Sequence, residues 1–185
     1  TTGADRVFMP CSKDLSRNNS QFQWTQGNFY ADETYKQLFF AHGAGPACSY
    51  DGKYVIRIRP SLTERDNKPR HVSVFGSQLA LGFNFGDVFL SDDGEPESFA
   101  AVVNGNSPPA HTADCSPAAE QIPFADRIHG LIRLPQQSLA VFCDRSIQRI
   151  TGSPGAYATQ VGRDGDGIME YTAKNLNGMI CYTDV

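Results

Sequence analysis

The sequence predicts an all-β fold of antiparallel strands joined by tight turns, and three observations carry that prediction. Gly and Pro number 17 and 11 in 185 residues and aromatic residues reach 11%, a mix suited to many short strands. Between Gln78 and Gly152 one device recurs: a short apolar run, a tight polar turn, and a second run ending in Gly or Pro. Asp51-Gly52 separates two strand-like runs, and Asp-Gly in that setting is the strongest short-range hairpin signal, because both central residues want positive φ.

Residues 1–36 are polar and irregular, with Asn18-Asn19-Ser20 as turn material. Phe22, Trp24 and Tyr30 are expected to pack this N-terminal arm onto the rest of the chain. A second unit spans residues 37–185. Its first strand is Leu38-Phe39-Phe40-Ala41, and the turn at 42–46 leads to Ala47-Cys48-Ser49-Tyr50. After Asp51-Gly52, the alternation of Arg57 and Arg59 with Ile56 and Ile58 predicts a strand with one wet face.

A polar loop, 61–70, precedes a strand at 71–75. Gly76-Ser77 turns into 78–83, and Asn84-Phe85-Gly86 turns into 87–91. Asp92-Asp93-Gly94 closes that unit, Pro96 blocks further ladder pairing, and Phe99 is expected to fold back onto the core. Residues 103–123 read as a surface loop. Strands are predicted at 128–134 and 138–143 around Pro135-Gln136-Gln137, then at 146–151, with the unit ending at Gly152-Ser153-Pro154-Gly155. Within 155–177, the mildly amphipathic segments 168–171 and 173–176 predict one short helical piece at most.

Comparable strand starts fall at Leu38, Leu79, Leu139 and Met179, at intervals of about 40, 60 and 40 residues. Periods of about 40–45 residues with four short strands each are those of β-propeller blades, so residues 37–185 are expected to form two to three antiparallel, propeller-like blades of a larger propeller. The chain opens Thr1-Thr2-Gly3 without Met and closes on a strand entering a turn, so a piece of something longer or a processed product is expected.

Composition narrows the function classes. The net charge of −4 argues against a basic surface built to grip nucleic acid. No apolar run approaches the roughly 18 residues that span a bilayer, and no secretory signal is read. Cys11, Cys48, Cys115, Cys143 and Cys181 are odd in number and lack CxxC spacing, which argues against a disulfide framework or a zinc site. Cys143 and Cys181 lie in apolar runs and are expected to behave as small buried hydrophobes, the chain being made in a reducing cytoplasm.

Few residues suggest chemistry. Asp164-Gly165-Asp166-Gly167 resembles the start of a calcium loop, but Ile168 and Met169 occupy positions that need a ligand and a Gly, so an acidic turn is expected. The loop acids Asp92, Asp93, Glu95 and Glu97 could in principle supply paired carboxylates for glycoside chemistry, but neighbouring acids on a turn are ordinarily solvated. His42, His71, His111 and His129 show no metal spacing, and a Cys115–His111 pair near Asp114 would need a rigid frame that its loop composition does not promise. Acids occupy the positions in 162–167 where a phosphate loop would need amides. Arg57, Arg59, Arg65, Lys68 and Arg70 cluster about one loop, either as a solvated hairpin face or as a contact for an acidic partner. No catalytic, cofactor-binding or metal-binding residue is therefore assigned.

Five stretches carry a family resemblance: Pro69-Arg70-His71-Val72; Asp87–Asp92 followed by Glu95-Pro96-Glu97-Ser98-Phe99; Asp126–Ile132; Leu139–Cys143; and Ser146–Gly152. In order and spacing they resemble the β-propeller-bearing tail proteins of short-tailed bacteriophages, the nozzle, tail-hub or packaged-DNA stabilisation proteins. The segment 165–184, with its Gly-rich start and closing strand, is also similar to that family, and the likeness runs from residue 37 to 185. It implies a structural, non-enzymatic virion protein, made in the host cytoplasm and built into the phage tail. There it would form a homo-oligomeric ring, commonly sixfold, beneath the head-to-tail adaptor and beside other tail proteins. DNA would pass through without specific binding, and no cofactor or membrane span is implied. The rival expectations are a glycosidase-like propeller working through the acids near Asp92 and a cellular propeller scaffold for protein interactions.

Overall fold

A computed structural model describes residues 21–29, 36–58, 60, 67–99, 120–165, 167–176 and 179–184. Their regular structure is all β. The first sheet holds β1 (Gln23–Gly27), β2 (Gln37–Ala41), β3 (Cys48–Tyr50) and β4 (Val55–Arg57). The second holds β5 (His71–Phe75), β6 (Gln78–Gly82), β7 (Asp87–Leu90) and β8 (Glu120–Pro123). The third holds β9 (Ile128–Leu134), β10 (Ser138–Cys143), β11 (Ser146–Ser153) and β12 (Ala156–Asp164), and β13 (Lys174–Leu176) pairs with β14 (Met179–Cys181) as a separate hairpin. Every ladder is antiparallel, strand order in each sheet follows chain order, and none of the sheets closes into a barrel.

The sheets stack face to face, and the period-2 geometry of a strand explains how one sequence serves two interfaces. In β5–β7, Val72, Val74, Leu79, Leu81 and Phe89 join Phe39, Ala41 and Ile58 in a core against the first sheet. The alternate residues Phe75, Ala80, Val88 and Leu90 join Ile128, Leu139, Val141 and Ile150 in a core against the third. Within β10 the same division sends Leu139, Val141 and Cys143 one way, and Ala140 and Phe142 the other, to a third core with Ile168 and Ala173. A strand buried on both faces reads as a continuous apolar run, and β6 and β10 are buried at every position.

Four sequence expectations need correction. The irregular arm is regular in part: Gln23–Gly27 is β1, paired along its length with β2. The loop assigned to 103–123 contains β8, paired with β7. The third unit does not end at Gly155, because Gly155 (φ 78°) turns the chain into β12, which pairs with β11 from Ser153 to Ser146. The segment read as short helix around 173–176 is the extended strand β13, whose ladder with β14 meets the backbone hydrogen bonds that a helical turn would have met internally.

Two smaller departures lie at and just before β4, an edge strand of the first sheet. Ile56 is 42% exposed while Ile58 is fully buried, so the wet face of β4 is not the arginine face that alternation predicts. The loop after Tyr50 runs to Tyr54, and only Gly52 in it takes positive φ. Asp51 instead accepts from the backbone N–H groups of Lys53 and Tyr54 at 2.7 and 2.6 Å, and these bonds hold its carboxyl below the ordinary range.

Candidate binding cavity

The first strands of successive sheets lie side by side: β1 packs on β5, and β5 on β9. With β13 they surround an open cavity of about 520 Å³. Consecutive residues of one strand line it, among them Gln23, Trp24 and Thr25 of β1, and Leu131, Ile132 and Arg133 of β9. Successive side chains of a strand point to opposite faces, so a run of neighbours along a wall means that the strand presents its edge. Each sheet is thus aimed edge-on at a common space by the strand that begins it.

The lining is mixed in polarity and one-sided in charge. Ser73, Thr25, Asn175 and Gln23 supply hydroxyl and amide groups, and the buried Oε1 of Gln23 meets no protein donor. Phe22 and Trp24 are 47% and 68% exposed, large values for such apolar side chains, and Trp24 is the chain's sole tryptophan. The charged lining residues are Arg133 and Lys174; no carboxylate lines the cavity among the described residues. Neither cation forms an ion pair with a described residue.

The acids, histidines and described basic residues singled out from sequence for chemistry do not line this cavity, and several of the acids are tied into their own loops. Asp92 is buried, accepts from Ser98 Oγ at 2.7 Å, and bridges to Glu95. Asp93 accepts from Ser77 Oγ, and Glu97 accepts from Ser49 Oγ at 2.5 Å, tying the loop to the first sheet. Of 164–167, Asp164 ends β12, Gly165 takes φ 91°, and Gly167 packs so closely on Asp144 that a Cβ would lie 1.8 Å from its carbonyl oxygen. Asp166 lies outside the described residues, as do Arg59, Arg65, His111, Asp114, Cys11 and Cys115.

Arg70 is not a free member of the basic group, because its guanidinium donates to both oxygens of Glu170 at 2.7 and 2.9 Å, an interaction that also raises its pKa. That pair joins the second sheet to the segment after the third. Beside it His71 is fully buried, and burial, with help from His129 and Arg70, lowers its pKa to about 3. His42 is buried with Nδ1 accepting from the Ala44 N–H at 3.3 Å, and His129 pairs with Asp144. Cys48 and Cys143 are buried, but Cys181 is exposed, against expectation, because the β13–β14 hairpin turns Ile180 and Tyr182 toward the third core and Cys181 away from it.

Sequence reading missed Arg133, Lys174 and the exposure of Trp24, which is 68% accessible. Trp24 was visible as the one tryptophan, but Arg133 and Lys174 are ordinary strand cations whose place beside the cavity depends on how separate sheets meet. A search against protein-family models finds no match, and a search of curated proteins finds none either.

Proposed function

We propose that this chain is a structural module: successive blades of a β-propeller, belonging to a tail nozzle or hub of a short-tailed phage and forming part of the ring through which DNA is retained and ejected. The observation that carries the propeller reading is the edge-on convergence of β1, β5, β9 and β13 on one cavity. In propellers four-stranded antiparallel sheets repeat radially about a central channel, each contributing one edge strand to it. Sheet beginnings about 50 residues apart agree with one blade per repeat. The phage assignment rests on the ordered stretches from Pro69 to Gly152.

A non-enzymatic role agrees with the serine hydrogen bonds that Asp92, Asp93 and Glu97 accept, which give three of the four loop acids a structural part. The net charge of −4 suits a conduit, since each phosphate neutralised would add salt-sensitive affinity for the passing DNA. The test is native mass spectrometry of the full-length protein, with cryo-electron microscopy of particles from the encoding phage. A large homo-oligomeric ring located below the head is expected. A protein that remains monomeric and is absent from purified tails refutes the assignment.

A further inference from the structure

We propose that the outer edge of β12 is a self-pairing surface, to which a second copy of this chain adds its own β12 antiparallel across a twofold axis. The inference rests on strand geometry and does not depend on the phage assignment.

The outer edges of the three four-stranded sheets differ. Sheet order places β4, β8 and β12 at the edges away from the cavity. β4 has three residues and β8 four, and short edges limit pairing with other chains. β12 has nine, pairs with β11 alone among the described strands, and runs from Ala156 to Gly162 without a charge or a proline. Every residue in it except Tyr157 is exposed. Such an edge is a template for another strand.

The turn before β12 fixes which backbone groups face outward. Pro154-Gly155 is a two-residue turn, so Ser153 and Ala156 exchange both ladder bonds, and so does every second pair after them, Thr151 with Ala158 and Arg149 with Gln160. Tyr157, Thr159 and Val161 therefore direct their N–H and C=O groups away from β11. An antiparallel copy centred on Thr159 sets Thr159 against Thr159 and Tyr157 against Val161, and each outward donor meets an outward acceptor.

The side chains agree with that register. Tyr157, Thr159 and Val161 share one face of the strand, where Tyr157 stacks on Phe75 with ring centroids 5.5 Å apart and donates to Oε1 of Gln78. These contacts hold the strand extended before a partner arrives. An open cleft of about 300 Å³ beside β8 leaves room on that face for side chains of the second copy. Aromatic with β-branched and Thr with Thr are favourable cross-strand pairs, and no like charges stand opposite, because Arg163 and Asp164 fall against the turn at Pro154-Gly155. At Gly162 the ladder with β11 slips by one residue, a bulge that ends the regular edge and limits sliding. The twofold leaves neither β12 edge open, so pairing here stops at a dimer.

Cysteine cross-linking reads the register. With Cys11, Cys115 and Cys181 replaced by Ser, Thr159→Cys should form an intermolecular disulfide under mild oxidation, because the Cα atoms of a directly opposed hydrogen-bonded pair lie about 5.5 Å apart. Ala158→Cys should not, since its twofold mate is displaced by two residues along the strand, beyond disulfide reach. Sedimentation velocity of the unaltered chain, from about 10 µM to about 1 mM, should show a dimer that grows with concentration, as expected of a small interface. Thr159→Lys sets two ammonium groups directly opposite each other and should weaken that dimer about tenfold or more, with an unchanged thermal midpoint because the side chain is exposed. The proposal is overturned by a chain that stays monomeric throughout that range, or by a dimer that Thr159→Lys leaves intact. It is also overturned if Ala158→Cys cross-links as readily as Thr159→Cys.

Discussion

The His71 ring is fully buried between Arg70, His129, Glu170 and Tyr171, whose ring centroid lies 5.2 Å away. Glu170 Oε1, at 3.7 Å, is beyond hydrogen-bond reach and already accepts from Arg70, so the imidazole has no adequate counter-ion and stays neutral down to about pH 3. The unfolded chain takes up the proton near 6.5, so below that pH the unfolded state binds more protons than the folded one. Stability should therefore fall as pH drops from 6.5 toward 3, by about 2 kcal/mol at pH 5 from this residue. Urea midpoints measured from pH 7.5 to 5 check this, and His71→Leu should flatten the profile over that range. Thiol chemistry divides on the same ground: burial pushes Cys143 up to about 12, whereas Cys181 is exposed. Brief iodoacetamide treatment of the folded protein, located by peptide mass spectrometry, should modify Cys181 and leave Cys48 and Cys143 intact.

At the scale of the element, legibility follows burial. β6 and β10, buried at every position, announced themselves as apolar runs, and their boundaries agree with the sequence reading to within a residue. β12 has the residues AYATQVGRD, exposed at all but one position, and so lacks the alternation that marks a half-buried strand. It exists because β11 has a second edge to pair and Gly155 makes the turn. β8 and β13 were missed for the same reason, short and polar strands that are recruited by a neighbour rather than by their own pattern. Phe142 belongs to the third core, where the hairpin packs on the third sheet. Phe142→Ala should cost about 3–5 kcal/mol in chemical denaturation. Gly167→Ala should destabilise although it adds only a methyl group, because that methyl meets the Asp144 carbonyl and backbone must move.

At the scale of the molecule, the stack has two terminal faces. Trp24 and Tyr50 are exposed on the first sheet, and Leu176 and Met179, directly paired, on the hairpin. Exposed apolar groups on sheet faces invite another sheet. Replacing Leu176 and Met179 together by Lys should reduce concentration-dependent association in sedimentation velocity while shifting the thermal midpoint little, since both side chains are more than half exposed. The sequence alone determined the all-β character, the repeat and most turns, because those depend on local φ preference and on the period-2 burial of single strands. Only the tertiary structure decided which edge strands were recruited, that loop acids are tied down by serine hydroxyls, and that β1, β5, β9 and β13 border one cavity. Those outcomes depend on pairing and stacking between segments far apart in the chain, and no local pattern of residues encodes a neighbour on another sheet.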